Sequence, residues 1–199
     1  MKCFLSSTTI LMSKFVILIP GGFKPPTVAH YELVRSYETC STVQDVYVIQ
    51  TPHVREGFGP ECTRIVFDWY GGFGEKVKFI LDKEAKGGAI EKVHKLVNDP
   101  AFTSQYSKQT IYAMGAGDKG TDAKRVQSFL TYYEKRPGLL PDGVKLGPPP
   151  FVYKVNRRNG VEISSTVLRK ALRDRDEGKV SLCIPRSRSA RNFPRNFSS

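Results

Sequence analysis

The sequence predicts an α/β protein with a parallel five-stranded sheet, and three observations predict it. Short apolar or β-branched runs alternate with helical patterns along the chain, which is the order that builds parallel sheets. The runs are apolar almost throughout, as strands buried on both faces must be. With 199 residues and 40% hydrophobic content, the chain can bury one proper core.

Taken in order, the strands are expected at Phe15–Ile19, Asp45–Gln50, Val77–Leu81, Thr110–Met114 and Phe151–Val155. Helices are expected near 28–38, 61–71, 88–98, 121–134 and 165–176. The Pro/Gly-rich stretch RPGLLPDGVKLGPPP (136–150) reads as a long loop before the last strand. No internal repeat or dividing linker interrupts 13–182, which is expected to be one domain. Residues 1–12 read as a flexible leader, and 183–199, with four arginines and no acid, as a basic disordered tail.

Charge narrows the partners. Thirty-one Lys and Arg against 19 Asp and Glu give +12 at pH 7, which favours phosphates, nucleotides or nucleic acid. No nucleic-acid-binding module is visible, so nucleic acid is the weaker expectation. Cysteines 3, 40, 62 and 183 form no C-x-x-C pair and no zinc spacing with the histidines, which argues for a reducing compartment. The SSTT and SK interruptions leave the first 20 residues without a continuous apolar stretch for export, and no run is long enough to span a membrane. A cytoplasmic location is expected, and a homo-oligomer is left open.

The chemistry concentrates where the first strand ends, in IPGGFKPPTVAH (19–30). Gly21 and Gly22 allow a sharp turn and a close approach of backbone to ligand. Pro25 and Pro26 delay the helix until Thr27, a good N-cap, and His30 falls in the first helical turn. A helix start with free N–H groups is an anion site, and Lys24 adds a cation beside it. VEISSTVLRKAL (161–172) repeats the arrangement, with Ser164, Ser165 and Thr166 opening a helix and Arg169 one turn later on the face of Thr166. Two such cradles, after the first and the last strand, suggest a polyphosphate held between them. After the fourth strand, Gly115 and Gly117 make a tight turn with Asp118 and Lys119 beside it. TPHVREGF (51–58) offers His53 and Arg55. Trp69 reads as core and His94 as a surface helical residue.

Gly21–His30 resembles the G-x-F-x-P-x-H-x-G-H element of the nucleotidyltransferase (cytidylyltransferase-like) superfamily, and Ile163–Arg169 resembles its I-S-S-T-x-x-R element. The resemblance spans about residues 14–175, and its finer style is most similar to small phage-encoded members. It implies a Rossmann-like three-layer fold of the HUP type. It also implies attack by a phosphate monoester on the α-phosphate of a nucleoside triphosphate, with Mg²⁺ on the triphosphate, release of pyrophosphate and no covalent intermediate. By the resemblance His30, Thr27 and Arg169 are expected to be catalytic, and Lys24, read from its place on the loop, is expected to join them. Gly21, Gly22, Phe23, Ala29, Ser164, Ser165 and Thr166 are expected to hold the nucleotide. From their places after the fourth and second strands, Gly115 and Asp118 are expected to join them and His53, Arg55 and Lys119 to face the acceptor, an ordinary turn and surface charges being the alternative.

ATP is favoured, with a nicotinamide or nicotinate mononucleotide acceptor. Cytidylyl transfer to a sugar, polyol or choline-type phosphate is the alternative. Two departures open a third reading, a catalytically impaired nucleotide-binding protein. Thr27 replaces the first His, as in phosphopantetheine adenylyltransferases, and Ala29 replaces Gly, where its methyl is expected against the nucleotide.

Overall fold

Strand β1 (Phe15–Pro20) is the centre around which the rest is wound. The computed structural model describes residues 13–81, 88–118, 120–155 and 163–194, and the expected leader and Lys119 lie outside them. After β1 come α1 (Val28–Thr39), β2 (Val43–Gln50), α2 (Pro60–Tyr70), β3 (Val77–Leu81), α3 (Ala89–Asn98) and the short α4 (Pro100–Thr103). Then follow β4 (Ile111–Met114), α5 (Gly120–Glu134), β5 (Lys145–Leu146), α6 (Ser165–Arg173) and α7 (Glu177–Cys183). The sheet runs β3-β2-β1-β4-β5 with every pair parallel, a Rossmann-like order.

The alternation of side chains along β1 and β2 decides what packs on each face. Ile17, Ile19, Val46 and Val48 point into one core, which they share with Val34 and Tyr37 of α1, Phe67 of α2 and Leu168 of α6. Val16, Leu18, Tyr47 and Ile49 point into the other, with Val93 of α3 and Phe129 and Tyr133 of α5. The result is three layers, helix, sheet and helix.

Four expectations are corrected. The fifth strand is not Phe151–Val155 but Lys145–Leu146, inside the supposed loop, paired to Ile111 and Tyr112. Pro148, Pro149 and Pro150 follow at once, and prolines lack the N–H a ladder needs. The chain rejoins the sheet edge only beyond them, where Tyr153 bridges Gly117 and Phe151 stacks on Tyr37 with ring centroids 4.5 Å apart. The sixth helix stops at Arg173, because Arg175 takes a left-handed φ of 54° before Asp176 caps α7.

The tail is the third correction: among the described residues it packs rather than trails. Ile184 and Phe193 are buried in the first core, Phe193 edge-on to Trp69 and Arg188 over the Trp69 ring. His94 is the fourth, since its Nδ1 lies 2.9 Å from the Tyr133 hydroxyl and its ring packs among Phe129, Tyr132 and Tyr133. No helix among the described residues is long and apolar enough to cross a membrane.

Burial makes the fold sensitive to alkali. Desolvation pushes the hydroxyls of Tyr37 and Tyr112 and the Cys62 thiol each up to about 12. Folding favours their neutral forms, so this stabilisation is present below pH 9–10, where the unfolded groups are also neutral. It is lost as pH rises toward 12, at about 2–4 kcal/mol per group. Tyr106 and Tyr133 shift in the same direction, whereas Lys24, pulled down by burial, works against it. The thermal midpoint is expected to fall between pH 8.5 and 11, and Tyr112→Phe to shrink the fall. A midpoint flat across that range would contradict the burial of these groups.

Candidate functional site

The order β2-β1-β4 reverses the winding direction at β1, and a crevice opens beyond the carboxyl ends of β1 and β4. The loop leaving β1 fills its floor. Phe23 holds a left-handed φ of 46° with its ring buried under Gly21, where an added Cβ would stand 2.5 Å from the ring. All four carbonyls from 23 to 26 accept side-chain donors. Thr63 Oγ1 donates to Phe23 O at 2.9 Å, Arg169 Nη1 to Lys24 O at 2.7 Å, Ser165 Oγ to Pro25 O at 2.8 Å and Tyr70 OH to Pro26 O at 3.0 Å. With its oxygens taken up, the loop no longer opposes an anion, and it is anchored to α2 and α6 together.

Thr27 is wholly buried as the N-cap of α1, and His30 is its N3 residue. The Thr27 N–H donates to His30 Nδ1 at 3.0 Å, and Thr27 Oγ1 lies 2.9 Å from the same nitrogen. The bond is a capping box with imidazole in the place of a carboxylate. A ring that accepts at Nδ1 carries its hydrogen on Nε2, so the cap also sets the tautomer. Phe23 meets the ring edge-to-face with centroids 5.2 Å apart.

Lys24 was expected as a cation facing the ligand. The structure turns it inward, 4% exposed, with its ammonium donating to the Thr51 carbonyl at 2.8 Å, to Thr51 Oγ1 at 3.4 Å and to the His53 carbonyl. Three acceptors match its three hydrogens, and burial pulls its pKa below the usual lysine value. Lys24 therefore ties the loop after β2 to the loop after β1. Lys24→Met is expected to cost about 1–3 kcal/mol, the penalty of stranding carbonyls less the relief of a buried charge. A denaturant titration checks this, and unchanged stability with weakened ligand binding would return Lys24 to the ligand.

From the far end of the sequence, Ser164 caps α6 and its Oγ accepts from Val167 N at 3.3 Å, while Arg169 is buried beneath the first turn. Thr166 is exposed, and its Oγ1 accepts from Arg169 Nη2 at 3.3 Å. Ser165 and Arg169 face the crevice, and Ser164 and Thr166 hold the helix end and the guanidinium.

The crevice is a cavity of about 470 Å³, whose lining includes Gly21, Gly22, Phe23, Lys24 and His30 from the first loop, with His53 and Arg55 from the second. Gly115 closes it at the end of β4, where an added Cβ would meet Ile19 at 2.7 Å. Besides Ser164 and Thr166, three expected contacts lie elsewhere. Ala29 is buried in the first core, so its methyl does not narrow the cavity. Thr27 acts from behind His30. Asp118 accepts from Val155 N at 3.2 Å and pins the 151–155 segment to the sheet edge.

Sequence reading missed Asp122 and Arg125, which line the cavity from the first turns of α5 and pair with each other at 3.3 Å. Their signal was the i,i+3 spacing in TDAKR just past the glycine turn. Among the described residues, Lys24, Arg55, Arg125 and Arg169 line the cavity against one carboxylate, Asp122. Such a cavity attracts anions.

No family model matches the sequence, and no curated protein matches it. Solved structures do resemble the fold. One is the Plasmodium falciparum nicotinic acid mononucleotide adenylyltransferase complexed with APC, 14% identical, with 86% of this chain and 90% of that chain covered at a TM-score of 0.43. A likeness of that depth leaves function to the chemistry of the site itself.

Proposed function

We propose that the protein is a nucleotidyltransferase that moves a nucleoside monophosphate from a triphosphate, ATP in first place, onto a phosphate-monoester acceptor of the nicotinamide or nicotinate mononucleotide kind. The observation that carries this reading is the meeting of two helix starts, about 140 residues apart in sequence, across one basic cavity. Ser165 and Arg169 of α6 bond directly to the carbonyls of the loop before α1. Two neighbouring helix N-termini and a buried guanidinium suit several phosphates in a row.

In this reading an oxygen of the acceptor phosphate attacks the α-phosphorus, a P–O–P bond forms, the α–β bond breaks and pyrophosphate leaves. No side chain is required as nucleophile. His30 donates from Nε2 to the α-phosphate as its charge grows, Ser165 and Arg169 hold the β- and γ-phosphates, and His53 and Arg55 face the acceptor. Mg²⁺ enters as part of the substrate, on the triphosphate. Among the described residues no group of three or more His, Cys, Asp or Glu side chains comes together. Asp122 of the cavity is already engaged by Arg125 and by the Gly117 N–H at 3.3 Å. The position of Ala29 in the core supports a working enzyme over an impaired nucleotide-binding protein.

The test is pyrophosphate release with MgATP or MgCTP against a panel of phosphate monoesters that includes both mononucleotides, a sugar phosphate and phosphocholine. Release with ATP and a mononucleotide supports the proposal. Release with CTP alone transfers it to the cytidylyl class, and none with any pair sinks it.

A further inference from the structure

Glu56, which the reaction above does not use, occupies the polyphosphate end of the cavity's cation set. Its Oε1 accepts from Arg169 Nε at 3.0 Å, and its Oε2 lies 3.6 Å from Arg173 Nη1, one turn further along α6. Arg169 is 6% exposed, so this carboxylate neutralises a guanidinium with little water around it. Nothing else within the second loop asks for an acid there. Arg55 and Phe58 exchange both backbone hydrogen bonds at 3.0 Å around Glu56 and Gly57, whose φ values are 49° and 80°. That is a two-residue turn with left-handed backbone at both central positions, the kind that favours Asn-Gly. A glutamate at the first of them is unfavourable for the turn itself. Among the described residues, its carboxylate is compensated by the two arginines of α6.

We infer that Glu56 is an internal competitor for the ligand's terminal phosphates, a residue that sets the protein's affinity for polyphosphates. This rests on the reading of the cavity as a polyphosphate site. A phosphate chain held by Ser165 and Arg169 brings negative charge to the guanidinium Glu56 already holds. The two anions repel, and the ligand binds by displacing the carboxylate from Arg169 and releasing Arg173 as a further cation. The apparent affinity is therefore lower than the intrinsic one by the fraction of molecules in which Glu56 has let go.

Calorimetric titration of inorganic tripolyphosphate into the full-length protein tests this. Glu56→Gln is expected to bind it at least about fivefold more tightly than the wild type. Glu56→Gly, which suits the left-handed turn and guards against misfolding, is expected to show the same gain. Glu91→Gln, which adds the same charge change on the outer face of α3, is expected to leave binding within about twofold, since a distant surface charge is screened. A gain of binding is a readout that a merely structural ion pair does not produce. Affinity equal to or below that of the wild type in both Glu56 variants, with thermal midpoints showing them folded, overturns the inference, as does absence of tripolyphosphate binding throughout. If tripolyphosphate shows the gain while MgATP binds none of the proteins, the competitor stands and the nucleotide reading falls. If MgATP and tripolyphosphate bind the wild type and both Glu56 variants equally, the competitor falls and the nucleotide reading stands.

Discussion

His30→Ala is expected to lower kcat/KM for pyrophosphate release by about 10²–10³-fold, the usual effect of deleting one aimed donor to a charge that grows in the transition state. The same substitution strips Thr27 of its partner. Because Thr27 is fully buried and its N–H reaches only as far as the first helical turn, about 1 kcal/mol of stability goes with it. The two losses are separable. A glutamine three residues after a threonine cap restores the capping box through its side-chain oxygen, so His30→Gln is expected to melt close to the wild type yet remain slow. Turnover and thermal midpoint, measured on both variants, decide the matter. Wild-type turnover by His30→Gln would reduce His30 to a cap and remove the centre of the proposed site.

Arg169→Met is expected to be the more damaging substitution, because Arg169 serves fold and ligand together. Its Nη1 is a charged donor to the buried Lys24 carbonyl, and its Nη2 braces Thr166. Losing the first of these alone costs about 1.5–3 kcal/mol. Methionine fills much of the volume but leaves, among the described residues, the Ser165 hydroxyl as the hydrogen bond from α6 to the loop before α1. Triphosphate binding is expected to weaken by at least about 100-fold, as a buried, hydrogen-bonded charge is lost from the cavity wall. Arg169→Lys keeps the charge without the planar fork and is expected to recover stability only in part. A denaturant titration beside triphosphate titrations checks both effects. If Arg169→Met bound triphosphate as the wild type does, Arg169 would be a strut between helix and loop and nothing more.

The pairing of Arg169 with Lys24 shows how the sequence could be read correctly and still mislead. Both residues were legible as cations near helix starts, and both do stand at the site. What their spacing does not contain is which way each points. Lys24 stands in the cavity wall but spends its ammonium on three oxygens of the neighbouring loop, because a buried ammonium must satisfy all its hydrogens. Arg169 spends part of its fork on a carbonyl 145 residues earlier and another edge on Glu56. Both partners lie in loops whose positions depend on the assembled sheet.

Local signals determined the rest of the fold well where they were strong. The alternation of apolar runs with helical patterns gave the strands β1 to β4 and their helices, since burial on both faces leaves a continuous apolar run that survives in the sequence. Gly21, Thr27 and His30 were readable together because a turn, a cap and a first-turn ring are set within a few residues. The last strand was not readable. Lys145 and Leu146 pair with β4 only because three prolines push the more apolar Phe151–Val155 past the ladder, so pairing rather than composition chose the strand.

Local sequence pattern thus determined an α/β chain with a glycine turn and a capped helix start after its first strand. Tertiary structure decided which cations are spent on the protein itself, that Ala29 belongs to the core, that Phe193 returns to cover Trp69, and that Asp122 and Arg125 face the cavity. The physical reason is range. Caps, turns and side-chain alternation act over a few residues, whereas the partners of a buried charge are chosen by whatever the folded chain brings within about 3 Å of it.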